Sequence, residues 1–150
     1  MADSKRKTIL NYIRDTTLGN ISVANGYAQD IEIVERGVRP FDSLGDGDLP
    51  ALFIGKTVEK RNNITHNQYR AVLTVFLVGF VDARDSVSAQ EAMDDLIADA
   101  THALETDRLL GGNAKHLEIK NIITDDGNLA PRAGFVMEVD ISYVTEGVTP

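Results

Sequence analysis

The sequence predicts an α+β fold in which two principal helices pack on one side of a mainly antiparallel sheet of about five strands. Apolar residues recur at helical spacing in two segments, whereas other segments have the alternating or continuous apolar pattern of strands. These segments follow one another as helix, three strands, helix and two strands, with no internal repeat and no low-complexity segment. We therefore expect a single domain over residues 1–150.

The first half of the chain predicts one helix and three strands. Helical spacing predicts the helix from Ser4 to Leu18, with Asp3 or Ser4 as its N-cap. Its apolar positions are Ile9, Tyr12, Ile13 and Thr16. The predicted strands are 29–37, 51–54 and 69–80. Segment 38–50 contains two Pro and two Gly and predicts a loop, and the polar segment 56–67 predicts a solvent-facing turn.

The second half predicts a longer helix and two strands. Ser88 and Glu91 fit a capping box at the start of a helix that we expect to run to about Asp107. Its apolar stripe would also suit an oligomer seam, but we expect it to pack on the sheet; it consists of Ala92, Met93, Leu96, Ile97, Ala100, Ala103 and Leu104. The opposite face is expected to present Asp94, Asp95, Asp99 and Glu105. Strands are expected within 117–124 and over 133–145. The second would be ~40 Å long, and its ends are candidates to protrude towards other chains unless a bulge or break shortens it.

Composition excludes several classes of function. The chain has no Cys, which excludes disulfide frameworks, thiolate nucleophiles, Cys-based zinc sites and iron–sulfur clusters. The net charge of −8 argues against a general nucleic-acid binder, and it is uneven, because residues 1–75 sum to +1 and residues 76–150 to −9. No apolar run approaches the ~18–20 residues of a membrane span, and no apolar segment follows the polar start. We expect a soluble protein made in the cytosol.

The sequence offers little for catalysis. The nucleophile elbow, the Walker A motif and the common zinc and dinucleotide-binding motifs are absent. His66, His102 and His116 share no metal-binding spacing. Asp99 and Glu105 each lie three residues from His102, but an exposed His is the favoured interpretation. We therefore predict that the protein is not an enzyme, and we assign no catalytic, cofactor-binding or metal-binding residue.

One loop leaves an alternative open. Asp42, Asp46 and Asp48 are interspersed with Gly and offer the oxygen ligands that hard cations prefer, but the residue order of an EF-hand loop is missing. A solvated, turn-forming loop is the favoured interpretation. The less favoured alternative is a small metal-dependent hydrolase that uses this loop.

Nearly the full chain consists of sequence segments that occur in a characteristic order. They are an amphipathic helix, a strand, an Arg-Pro loop, LPALFIG, a polar turn, LTVFLVGF, SAQEAMDDLIADATHALETDRLLGG, LEIKNIITDDG and GFVMEVDISYVT. The most specific are the strand entry Leu49-Pro50-Ala51, the helix exit from Leu104 to Gly112, the turn Asp125-Asp126-Gly127 and the closing Ile141-Ser142-Tyr143. In this order the chain resembles the tail terminator (tail completion) proteins of long-tailed bacteriophages.

This resemblance implies a structural virion protein. Its copies would assemble, usually as a hexameric ring, on the last ring of the tail tube, stop tube polymerisation and offer a docking surface to the head connector. The implied partners are other copies of the chain, the major tail tube protein and the head–tail connector protein. Double-stranded DNA would pass through the ring without specific binding, and no membrane is involved. The implied location is the virion tail at the neck, and the host cytoplasm during assembly; another head–tail connector, neck or baseplate component is the alternative.

We assign contact with the tube or with a neighbouring copy to two segments. The residues are Arg36, Arg39, Phe41, Asp42 and Leu44 in and before the loop, and Lys60, Arg61, Asn62 and Asn63 in the polar turn. Arg and aromatic side chains are enriched at contact surfaces, which favours this hypothesis. Lys60 and Arg61 would equally suit a solubilising hairpin tip.

Overall fold

The computed structural model describes residues 4–83 and 88–146. Five strands form one mixed, mostly antiparallel sheet in the order β1-β2-β3-β5-β4. The strands are β1 (Ile33–Arg36), β2 (Ala51–Asn63), β3 (Gln68–Asp82), β4 (His116–Thr124) and β5 (Arg132–Glu146). The helices are α1 (Lys5–Tyr12) and α2 (Ala89–Thr106). The predicted α+β fold and the predicted order of elements are confirmed.

The centre of the sheet is built from two long strands. β3 and β5 each have 15 residues and pair with each other over their whole length. At about 3.3 Å per residue each spans ~50 Å, which is longer than the sequence predicted. The residues around the turn between β2 and β3 are exposed, so this end of the hairpin extends beyond the core.

The main core lies on one face of the sheet. Alternate residues of β3 and β5 point to this face because side chains alternate along a strand. They are Ala71, Leu73, Val75 and Leu77 of β3, and Phe135, Met137, Val139, Ile141 and Tyr143 of β5. The N-terminal helical segment adds Ile9, Leu10 and Ile13, and α2 adds Leu96, Ala100 and Leu104. Both helices therefore contribute to the same core, as the sequence predicted.

A smaller core covers part of the opposite face. The loop 38–50 folds over the start of β2 and contains two short 3-10 turns, Phe41–Ser43 and Asp46–Asp48. Its buried residues pack with the ends of the strands beneath, and the cluster consists of Leu44, Leu49, Ala51 and Phe53 with Ile33, Val78 and Phe80. The segment is irregular as predicted, but it is anchored by apolar side chains.

The first helix differs from the prediction at its end. Ser4 caps α1, since its Oγ accepts a hydrogen bond of 3.1 Å from the Lys7 amide. A π-helical turn, Ile13–Thr17, then continues α1. Because a π turn has more residues per turn than an α-helix, the buried position moves from Thr16 to Thr17. The prediction that Thr16 belongs to the apolar face was therefore wrong.

The second helix begins as predicted but buries one acidic residue. The Ser88 Oγ accepts a 3.2 Å hydrogen bond from the Glu91 amide. Asp99, expected on the solvent side, has only 6% of its surface exposed. It lies seven residues, or nearly two full turns, after the buried Ala92, which puts it on the flank of the helix that the chain around Ala28 covers.

The edge of the sheet differs most from the prediction. β2 does not end at residue 54 but continues to Asn63 through an irregularity between Ile54 and Thr57. The predicted turn 56–67 is therefore mostly strand, because polar side chains on a solvent-exposed edge do not prevent backbone pairing with β3. β1 is shorter than the predicted 29–37, and after it Gly37 has a φ of +90° and redirects the chain away from the sheet.

The hairpin of β4 and β5 closes on the predicted turn. The Asp125 carboxylate accepts hydrogen bonds of 2.6 Å from the amides of Gly127 and Gly134. Gly127 has a φ of +102°, which favours glycine. Burial alone would raise the pKa of Asp125, but these two backbone hydrogen bonds lower it below its ordinary value.

Candidate interaction surfaces

The residues predicted to make contacts fall into two separate groups, one in and before the loop 38–50 and one at the far end of β2. Arg36 ends β1 opposite Ile54, whereas Lys60 lies six residues further along β2. Six strand residues span ~20 Å. The structure therefore does not bring the two groups into one site, and Phe41 and Leu44 pack over the face of the sheet opposite the helices.

Several side chains of the loop group are held within the chain. Arg39 forms two hydrogen bonds of 2.6 and 2.8 Å with the Glu35 carboxylate. Phe41 packs edge-to-face on Phe80 with 5.2 Å between ring centroids. Leu44 is 4% exposed and belongs to the smaller core, so its side chain anchors the loop rather than reaching a partner.

The acidic residues of this loop do not converge. Asp42 is exposed, and the Arg132 guanidinium lies 3.3 Å from Asp46. The Asp48 carboxylate accepts a 2.9 Å hydrogen bond from the Gly45 amide. Within residues 4–83 and 88–146, no group of three or more His, Cys, Asp or Glu could hold a metal ion.

The hairpin group includes an ordered polar cluster on the side that bears the helices. Tyr143 donates a hydrogen bond to the Glu59 carboxylate, and the Arg61 guanidinium lies 2.7 Å from the same group. Arg61 also stacks on Tyr69, 4.5 Å from the ring centroid. Burial raises the pKa of Glu59, but the hydrogen bonds from Tyr143 and Arg61 outweigh it and lower the pKa. Arg61 is therefore held within the chain, while Lys60, Asn62 and Asn63 are exposed.

A concave surface, which we call the basic groove, lies where β1 ends against β2 and the N-terminal helix. Its volume is about 570 Å³. The lining residues are Lys7, Asn11, Arg14, Arg36, Gly37, Ile54, Gly55 and Thr57. Arg36 is the only predicted contact residue among them. Lys7 and Arg14 were not assigned from the sequence, although the excess of basic residues on the polar side of the first helix was a usable signal.

The edge of β2 is paired over only part of its length. β1 pairs with Ala51–Ile54 and then leaves the sheet. In the described part of the chain, no strand pairs with the remainder of β2 on this side. β4 forms the opposite edge of the sheet. Open edges present backbone donors and acceptors to which another strand can bind.

The face of the sheet opposite the helices has exposed apolar side chains. Val58 and Ile123 lie on this face, and Ile123 is 67% exposed. Polar pairs separate the apolar residues, and the Thr74 hydroxyl donates a 2.7 Å hydrogen bond to Asp140. This face is therefore mixed rather than a continuous apolar surface.

The outer side of α2 is acidic. We call its exposed carboxylates, those of Glu91, Asp94, Asp95 and Glu105, the acidic face. Glu105 pairs with Arg108 at 2.5 Å. His102 is exposed, as predicted, and its ring packs against Tyr27 at 5.6 Å. Asp99 lies below this face, where burial raises its pKa and the amides of Ala28 and Gln29 offset only part of the effect.

The fold and these surfaces define an α+β domain with an open sheet edge, a basic groove and an acidic helix face. No known protein family and no curated protein matches this chain. None of the described helices is long and apolar enough to span a membrane.

Proposed function

We propose that this protein is a phage tail terminator. Copies of it form a ring, hexameric in the simplest case, that caps the tail tube, ends tube polymerisation and provides the docking surface for the head connector. The observation that carries the proposal is the long β2–β3 hairpin. It extends beyond the core, with part of the β2 edge unpaired among the described strands.

A ring requires two different, complementary surfaces on each copy. The two edges of this sheet differ, because one combines short β1 with exposed β2 and the other is β4. An edge strand offers a row of backbone hydrogen-bonding groups to a neighbour. Two unlike edges on one copy support head-to-tail association around an axis.

The hairpin tip supports the tube-binding part of the proposal. Asn62, Asn63 and Ile64 are exposed there, and Ile64 exposes 49% of its surface. An apolar side chain at the end of a long hairpin is suited to insertion into a partner surface. We assign this end of each copy to the major tail tube protein.

The charge distribution supports a passage for DNA. Residues 76–150 have 5 basic and 14 acidic residues, a net charge of −9. A negatively charged lining repels phosphates, so that DNA slides through without binding. In this proposal the protein acts through its surfaces, and no side chain is given a catalytic role.

The test is to polymerise the tail tube protein with and without this protein and to image the tubes by negative-stain microscopy. We expect shorter tubes that have a ring at one end when the protein is present. Lys60→Glu should weaken capping, whereas Lys5→Glu, an equal charge change at the start of α1 and outside the proposed contact surfaces, should not. Tubes of unchanged length, with no density at their ends, would contradict the proposal.

A further inference from the structure

The basic groove concentrates positive charge in a concave surface. Three of its lining side chains are cationic, those of Lys7, Arg14 and Arg36, and no lining residue is acidic. Gly37 and Gly55 line it without side chains, which leaves the backbone of the sheet edge accessible between the cations. A groove of this kind is suited to binding carboxylates.

The positive charge of Arg36 in the groove remains unpaired with a carboxylate among the described residues. Arg14 pairs with Asp15 at 2.7 Å, and both groups lie at the surface. Arg36 donates a 3.3 Å hydrogen bond to the Asn11 side chain, which is neutral. Among the described residues, Arg36 forms no ion pair with a carboxylate. A binding partner with negative charge therefore gains attraction here.

The acidic face of α2 has the complementary charge. Glu91, Asp94 and Asp95 lie three and four residues apart, so they share one side of the helix. Ala98 is exposed beside them, and α2 contains no Lys or Arg. Three clustered carboxylates on a helix of 18 residues give the acidic face a charge opposite to that of the groove.

We propose that the basic groove binds the acidic face of α2 from a second copy of this chain. This inference rests on the proposed function in one respect, because it adds a groove-to-helix contact to the sheet edges that would join neighbouring copies in the ring. The two surfaces are different, so each copy binds one neighbour through its groove and another through its helix. Such a head-to-tail contact closes into a ring when the rotation between copies permits.

A nucleic acid is the less favoured occupant of the groove. Binding to a phosphate backbone gains affinity from many neutralised phosphates, and this groove offers three cations on a chain with a net charge of −8. The acidic face of a second copy presents few charges at fixed spacing, which suits a small groove. It is also present at the same concentration as the groove itself.

The test is a charge swap measured by sedimentation velocity on the full chain, alone and with the tail tube protein. Arg36→Glu and Asp94→Lys should each weaken self-association about tenfold or more, because each places like charges across the contact. The double variant should recover association to within about threefold of wild type, because the attraction is restored with its sign reversed. Arg70→Glu, an equal charge change on the opposite face of the sheet, should leave association unchanged.

The following results would contradict binding of the basic groove to the acidic face of a second copy. Single variants that associate like wild type overturn it, and so does a double variant that is no better than the singles. A wild-type chain that stays monomeric at every concentration, with and without tube protein, overturns it as well. Binding of a DNA duplex that Arg36→Glu abolishes, with self-association unaltered, assigns the groove to nucleic acid.

The test also separates this contact from the proposed function. Tubes that are capped normally by all of these variants would leave the terminator function standing and remove the groove contact. Charge-dependent association without any effect on tubes would keep the contact and remove the terminator function.

Discussion

Glu59 shows how single side chains stabilise the exposed half of the β2–β3 hairpin. Its carboxylate accepts a hydrogen bond from Tyr143, which is 84 residues away, and pairs with Arg61 on its own strand. Tyr143 belongs to the main core, so this contact ties the edge strand to the buried centre of the sheet. Burial and the bond to Glu59 raise the pKa of Tyr143, so the phenol stays protonated and remains a donor.

The first prediction concerns the pH dependence that Glu59 confers. Its lowered pKa means that the folded state binds fewer protons than the unfolded state in acid. The stabilisation is therefore complete above the ordinary Glu pKa of ~4.3 and is lost as the pH falls through the lower folded value. In urea unfolding at a series of pH values, Glu59→Gln should flatten this acid loss. Glu105→Gln is the control, since it changes an exposed ion pair and should leave the loss of stability in acid as in wild type. If the free energy of unfolding falls equally steeply with pH in wild type and in Glu59→Gln, Glu59 is not the source of the acid loss.

The second prediction is that the contribution of Asp99 to stability changes with pH in the opposite direction to that of Glu59. Burial raises its pKa, so the folded state binds more protons than the unfolded state, and its contribution falls as the pH rises from ~3.9 through the raised value. Asp99→Asn keeps an acceptor for the Ala28 amide and removes the charge. The stability of this variant relative to wild type should therefore increase with pH across that interval. A difference that is constant with pH, measured by the same urea titrations, would contradict the prediction.

At the scale of elements, β3 and β5 come close together at Gly79, where the ring of Phe135 packs against the β3 backbone. A Cβ added at Gly79 would lie 2.4 Å from a ring carbon of Phe135, its partner across the strands. The ring occupies the space that a side chain at residue 79 would need. The pair therefore specifies both the register and the residue type at this point in the sheet.

The third prediction follows from this approach. Gly79→Ala should lower the free energy of unfolding by about 2 kcal/mol or more, because the Phe135 ring must move from its packed position. Gly47→Ala is the matched control, since a Cβ there meets nothing within 4 Å, and it should change stability by less than about 0.5 kcal/mol. Thermal or urea unfolding measures both. Equal effects of the two substitutions would show that the ring moves without cost.

The strands and helices differ in how far their sequences predict them. β5 has an apolar residue at every second position from Ala133 to Tyr143, and this local period predicts the strand. β2 beyond Ile54 has no such apolar pattern, because its half-buried positions, Thr57 and Glu59, have polar side chains and its last four residues are exposed. Its pairing depends on β3 and on the distant Tyr143, which a local pattern does not contain.

The interaction surfaces were less predictable than the fold, because they also depend on contacts between segments that are distant in the sequence. Arg36 was assigned to a contact from composition, and it does line the basic groove. Lys7 and Arg14 join it only because the first helix packs beside the end of β1. A π turn likewise leaves no clear signal in the spacing of apolar residues, and it moved the buried position to Thr17.

At the scale of the whole molecule, charges of opposite sign occupy different surfaces. The basic groove lies at the β1–β2 edge, and the acidic face lies on α2, which packs mainly over β3 and β5. Long-range attraction between such surfaces speeds the encounter of copies and weakens as salt is added. The hairpin tip is distinct from both surfaces, so the proposed tube binding and the proposed self-association can be tested separately.

The fourth prediction tests this separation. Ile64→Asp at the hairpin tip should leave the free energy of unfolding within about 0.5 kcal/mol of wild type, because the side chain is largely exposed. It should reduce capping of tubes and leave self-association unchanged. Tube-length distributions and sedimentation velocity measure the two effects. Loss of self-association in this variant would mean that the tip also joins neighbouring copies.

The short length of β1 has a consequence for the protein before assembly. An unpaired edge strand can pair with the edge strands of other chains and so form aggregates. Natural sheets limit this pairing with charged side chains at the edge. Lys56 and Lys60 are exposed on this stretch of β2. Repulsion between these lysines disfavours pairing of two unpaired β2 edges, whereas a negatively charged neighbour is attracted to them. In the proposed ring assembly, the same lysines would keep unassembled copies apart and favour a negatively charged neighbour.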